Sequence, residues 1–205
     1  MTPKNESPFV TIWEAPRATI RRIVDSDPRL HVNLLFFGGG VVGMLSALRS
    51  HATFDIPPLF AAGGCILLGL LSVPFSHMGA WYMRSIGGWL GGTASRQEVA
   101  AAFAWAGVPT VVGGLALWVL QFALFGTELL SPERPTIDAA SPLLLMTLRL
   151  AALLLGVWTS TASLLCFAEV NRFSVLRSLT TWIVSVLVVV LAIGLPVGVL
   201  LLLLR

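Results

Sequence analysis

Read for polarity alone, the chain falls into five long apolar runs joined by short polar segments, at 32–48, 57–83, 99–125, 143–168 and 183–204. A helix needs about 20 mostly apolar residues to cross a hydrocarbon core of roughly 30 Å, and each run meets or approaches that length. The helical reading is close to forced, because lipid offers backbone N–H and C=O groups no partners outside helices and closed barrels. A barrel strand would alternate apolar and polar residues, and the stretch VLVVVLAIGLPVGVLLLLLR does not alternate. The pattern predicts an all-α polytopic membrane protein: a bundle of five transmembrane helices over 32–204, preceded by a short segment over 1–31. Ser95 followed by Glu98 reads as a capping box opening the third run, and Ser141–Pro142 gives the fourth a capping hydroxyl and a first-turn proline. Pro74, Pro109 and Pro196 interrupt runs, so kinks are expected there. No short apolar stretch with a cleavage site precedes residue 32, and no removable signal peptide is expected.

The segment before the first run has a different periodicity. Over 13–25, WEAPRATIRRIVD, a helix entered at Pro16 places Trp13, Pro16, Ile20, Ile23 and Val24 within about 100° of arc. Arg17 borders that face, while Arg21, Arg22 and Asp25 lie further round. Such a helix can lie in the headgroup region, burying Trp13, Ile20 and Ile23 and turning Arg17, Arg21 and Arg22 towards anionic lipid. It can equally present the apolar face to another protein. Its short tether to the first run favours the membrane surface.

Composition sharpens this picture. Charged residues are 11% of the chain against about 25% in ordinary domains, hydrophobic residues 56%, and mean hydropathy is +0.87. Too little charge exists to cover a water-facing surface, which excludes a disulfide scaffold, a disordered tail and a nucleic-acid binder. The placement of the charge is more informative than the net +3. The segments before run one, between runs two and three and between runs four and five carry nine basic residues; the opposite side carries Arg49, Arg134 and Arg205. That division puts the N-terminus in the cytoplasm and the C-terminus outside. Cys65 and Cys166 fall at different depths in their runs and are expected as free thiols.

Ionisable groups within lipid are the first place to look for chemistry. His77 and Arg149 are the clear cases, with Asp55 and Glu169 at the margins. Arg149 lies close enough to the outer end of its run to snorkel to the headgroups. Catalytic motifs and cysteine–histidine metal spacings are missing, and no two carboxylates share a run, so neither an enzyme nor a bound cofactor is expected. Small residues recur instead at four-residue spacing: Gly39, Gly43 and Ala47 in run one, Ala61, Cys65 and Gly69 in run two, with Gly113–Gly114 adjacent in run three. This spacing lets helices approach closely in lipid, within one chain or across a homo-oligomer.

Three stretches together resemble the Yip (Ypt-interacting protein) domain family: IWEAPRATIRRIVDSDPR, SIGGWLGGTASRQEVAAAFAWAGVPTVV and AEVNRFSVLRSLTTWIV, in that order. The resemblance runs from about residue 9 to 204 and is strongest to the bacterial branch. It implies a five-span integral membrane protein with a cytoplasmic N-terminus, placed in the inner membrane if bacterial, and supplies no catalytic residue. The expected role is a membrane-organising adaptor contacting the lipid bilayer and other membrane proteins through its cytoplasmic face. The alternative is a small permease or lipid-moving subunit, which needs polar groups such as Arg149, His77, Ser72, Thr159 and Ser160 to converge in a groove.

Overall fold

The computed structural model describes residues 7–51 and 55–203, and in these the chain is helical with no strand. In chain order the helices are α1 (Pro8–Glu14), α2 (Pro16–Ser26), α3 (Val32–His51), α4 (Pro58–Trp89), α5 (Arg96–Ala106), α6 (Val108–Phe125), α7 (Pro135–Ala139), α8 (Pro142–Val170) and α9 (Val175–Leu203). A 3-10 turn, Gly126–Leu130, follows α6. Five helical units are long and apolar enough to span a membrane: α3, α4, the α5–α6 pair running into the turn, α8 and α9.

Local chemistry sets the boundaries. The helix expected over 13–25 is two helices broken at Ala15, which precedes Pro16 and has φ −135° and ψ 65°. A residue before proline is pushed out of the helical region, and Pro16 then opens α2. The Ser95 capping box forms: the Glu98 N–H donates to Ser95 Oγ, and the Ser95 N–H donates to Glu98 Oε2 at 2.6 Å. Ser141 Oγ accepts from the Leu144 N–H at the head of α8. The third span is interrupted at Gly107, where α6 restarts with Pro109 in its first turn. Pro74 and Pro196 lie inside continuous helices.

α3 and α4 share the most extensive contact in the bundle. Its row on α3 is Phe36, Gly40 and Met44: the Ser72 hydroxyl donates to the Phe36 carbonyl, and Met44 lies on Gly64. A Cβ on Gly40 would stand 2.6 Å from the Leu68 carbonyl oxygen. Gly69, Gly113 and Gly114 are equally tight, with Phe37, Leu155 and Val42 respectively less than 3 Å from where a Cβ would be. Ala61 is buried beside Leu48 and Leu130. Gly39 and Gly43 correct the expectation, since nothing lies within 4 Å of a Cβ built on either. The contacting row is one residue further on, so the small residues of the expected row face away from the seam.

Candidate functional site

The densest packing lies at the end of the bundle that carries α1 and α2. The apolar face of α2 rests on α5 and α8, and Ile12, Ile20 and Ile23 are at most 1% exposed. The cradle is made of the alanines of α5 with Trp105 and Phe167. Burying an isoleucine side chain fully is worth about 1.5–3 kcal/mol. Polar contacts fix the register. Arg17 Nε donates to Glu169 Oε2 at 3.0 Å, Arg21 Nε to Glu169 Oε1 at 3.1 Å, and Arg21 Nη2 to the Glu169 carbonyl. The Cys166 thiol points at the Pro16 carbonyl, 3.6 Å away. Trp105 Nε1 donates to the Leu30 carbonyl, and Thr19 Oγ1 to Thr11 Oγ1.

This arrangement overturns the placement of Ile20 and Ile23 in the headgroup region. Both side chains are covered by the protein, Trp13 is half-buried against the same core, and Arg22 bonds Thr11. The apolar face was legible; its occupant is the chain itself. α5 and α8 offer apolar burial together with a carboxylate for two arginines, which lipid tails do not. The outward side of α2 keeps Arg17, Arg21, Arg22 and Asp25 around an open depression of about 690 Å³ that also reaches Glu169.

Two loops close under this platform. Gly91, at φ +85°, turns the chain between α4 and α5. Gly92 then lies so close to Asn171 that a Cβ would meet its side-chain oxygen, and Gly87 lies against Phe167. Asn171 is buried and donates to the Phe167 carbonyl. Phe103 stacks on Phe167 at 5.7 Å, and the Arg177 guanidinium sits over the Phe173 ring. All three stretches that carry the family resemblance therefore meet in one place.

Further along the bundle, a groove of about 690 Å³ separates α3, α4, α6, α8 and α9. Its walls are mainly apolar, with hydroxyls from Ser72, Ser76, Thr110, Thr159 and Ser185. Thr110 and Thr159 are hydrogen-bonded at 2.7 Å, and the Tyr82 hydroxyl donates to the Ser185 carbonyl. Among the described residues the buried Trp182 indole N–H meets no acceptor there. Neither His77 nor Arg149 lines this groove. His77 bonds Asn33 at 2.8 Å, stands edge-on to Phe36, and shares a separate cavity with Arg29 and Arg96. Arg149 lies at the opposite end of the molecule, beside Arg49, Arg134 and Gln121. Ser160 is exposed and bonds back to the Gly156 carbonyl of its own helix. Of the polar groups that a permease would bring together, Ser72 and Thr159 line this groove, while His77, Arg149 and Ser160 lie outside it. Sequence reasoning missed Gln121; a polar residue near the end of the third apolar run is the signal that could have found this pocket.

Among the described residues no group of three His, Cys, Asp or Glu side chains is placed to hold a metal ion. No curated protein and no solved structure matches the chain. A family model for the Yip1 domain matches residues 10–197, and that span contains the docked helices except the first two residues of α1, both loops and all but the end of the bundle. The chain belongs to the Yip1 domain family of multi-pass membrane proteins.

Proposed function

We propose that this protein is a non-catalytic membrane-organising adaptor whose working surface is the cytoplasmic end formed by α1, α2, α5 and the α8–α9 junction. The observation that supports it is the convergence of the three family stretches into one packed platform, while the intramembrane polar groups His77 and Arg149 stay apart. A platform held by Glu169, Trp105 and Asn171 presents a fixed pattern of charge, and fixed geometry lowers the cost of ordering a contact on binding. Exposed Arg17, Arg84, Arg172 and Arg177 rim this end, with exposed Trp81 and Trp89 beside them. That combination suits a surface lying among anionic headgroups and meeting membrane-protein partners, a second copy included. The basic residues favour a cytoplasmic N-terminus, and the resemblance favours the inner membrane of a bacterium.

Photocrosslinkers placed at Ala18 and Asp25 on the outward side of α2, and at Ala139 in α7 as a control, test this reading in native membranes. Discrete protein adducts should form at the two α2 positions and not at Ala139. Adducts to lipid alone at all three positions would remove the adaptor reading. The groove supports one alternative, a lipid-moving subunit, because its apolar walls and unpartnered Trp182 N–H suit an acyl chain with a polar linkage. Accelerated flipping of labelled lipid in reconstituted vesicles, abolished by filling the groove with Gly79→Phe, would favour that alternative.

A further inference from the structure

At the end opposite α2, three elements and a loop surround a cavity of about 320 Å³ with one sign of charge. Arg49 comes from the end of α3, Arg149 from the second turn of α8, Arg134 from the loop before α7, and Gln121 from α6. Among the described residues no acidic side chain lines the cavity. Among the described residues none of the three arginines pairs with a carboxylate, since the ion pairs are those of Arg17 and Arg21 with Glu169. Nearby acids are engaged elsewhere: Glu128 accepts from the Thr136 and Ile137 N–H groups at the head of α7, and Asp55 accepts from Ser131. Glu133 and Asp138 are exposed and lie outside the lining. Arg49 Nη1 donates to Gln121 Oε1 at 2.7 Å, and Gln121 is only 3% exposed, so one guanidinium is fixed by a buried amide.

From this geometry we infer that the cavity is a binding site for a phosphate group, supplied by the headgroup of an anionic phospholipid. Guanidinium groups stay charged at any physiological pH and match phosphate oxygens with paired N–H donors. Three of them around one partly desolvated space repel one another unless an anion neutralises them. The depth points to lipid: Arg149 is exposed and about 10 Å along α8 from Pro142, at 1.5 Å per residue. An arginine at that depth in a span is costly without an anionic partner, and basic pockets between transmembrane helices suit phosphate headgroups. The inference is independent of the adaptor reading, because it uses the other end of the molecule.

Native mass spectrometry of the full chain in neutral detergent tests it, with phosphatidylglycerol, phosphatidylcholine and inorganic phosphate as separate probes. One phosphatidylglycerol should be retained in preference to phosphatidylcholine, and Arg149→Gln should weaken it roughly tenfold, the loss of one charge-assisted contact. Arg134→Gln, from a different element, should weaken it similarly, and Arg29→Gln, in the separate cavity beside His77, should leave it unchanged. Arg149 makes no side-chain bond among the described residues, so its replacement should fold. Arg149-dependent binding of inorganic phosphate without phosphatidylglycerol would support the phosphate site and overturn the lipid source. Equal weakening by Arg29→Gln, or binding of neither phosphatidylglycerol nor inorganic phosphate in an Arg149-dependent way, would overturn the site.

Discussion

Glu169 shows how much one side chain can organise at the residue scale. Its carboxylate receives Arg17 and Arg21, its carbonyl receives Arg21 again, and it sits one turn beyond the thiol that meets Pro16. The pair is neither fully wet nor dry, with side chains 25–46% exposed, so its worth lies between a surface bridge and a buried one. Replacement by alanine should cost about 1–3 kcal/mol, as lost hydrogen bonds to charged groups do. It should also loosen α2, which covers Cys166. In a Cys65→Ser background, Glu169→Ala should therefore raise the rate at which maleimide labels Cys166, and Glu169→Asp should do so less. An unchanged labelling rate would mean that the isoleucines hold α2 down without help. In the sequence Glu169 was visible only as a marginal acid at a span end. Nothing local announces that its partners lie about 150 residues earlier.

At the element scale, the two kinds of helix were legible to different degrees. α2 has one apolar and one charged face, so periodicity identified the buried side correctly; it could not say whether lipid, a partner or the chain itself would cover it. Spanning helices carry no such contrast, because the side facing lipid and the side facing protein are both apolar. Small residues were the remaining clue, and on α3 they misled by one position: Gly40, not Gly39 or Gly43, makes the approach to α4. The two neighbouring glycines give a direct comparison. Gly40→Ala places a methyl against the Leu68 carbonyl and Ser72, which backbone rigidity prevents from yielding, and should destabilise by about 1–3 kcal/mol. Gly39→Ala meets nothing and should be neutral, or stabilising by up to about 1 kcal/mol through helix propensity. Unfolding in a denaturing-detergent titration reads both; equal effects would place the helix seam wrongly. The capping box at Ser95 and the cap at Ser141 were legible outright, since both depend on residues within one turn.

For the whole molecule, sidedness follows from contacts plus charge. α2, the loop after α4 and the α8–α9 junction touch one another through Arg17, Gly92, Glu169 and Asn171, so they share one end of the bundle whichever way it is inserted. The turn after α6 and the loop to α7 lie at the other end, with Asp55 bonded to Ser131. Orientation then reduces to which end faces the cytoplasm. In the sequence, the segments before the first span, between the second and third and between the fourth and fifth carry nine basic residues against three in the remaining segments, and positively charged segments resist export. Reporter fusions after residues 90 and 174 should therefore score cytoplasmic, and a fusion after residue 130 should score external. If all three signals invert together, the bundle stands but the charge rule fails for it. A cytoplasmic signal at 130 together with 90 would put on one side segments that the packing holds at opposite ends, and the five-span arrangement would fall with it. Charge reversal gives the converse check: removing Arg17, Arg21 and Arg22 while adding three lysines at 131–133 reduces the asymmetry to six against six. That variant should insert in mixed orientation, and protease protection from sealed vesicles would show two populations where the parent shows one.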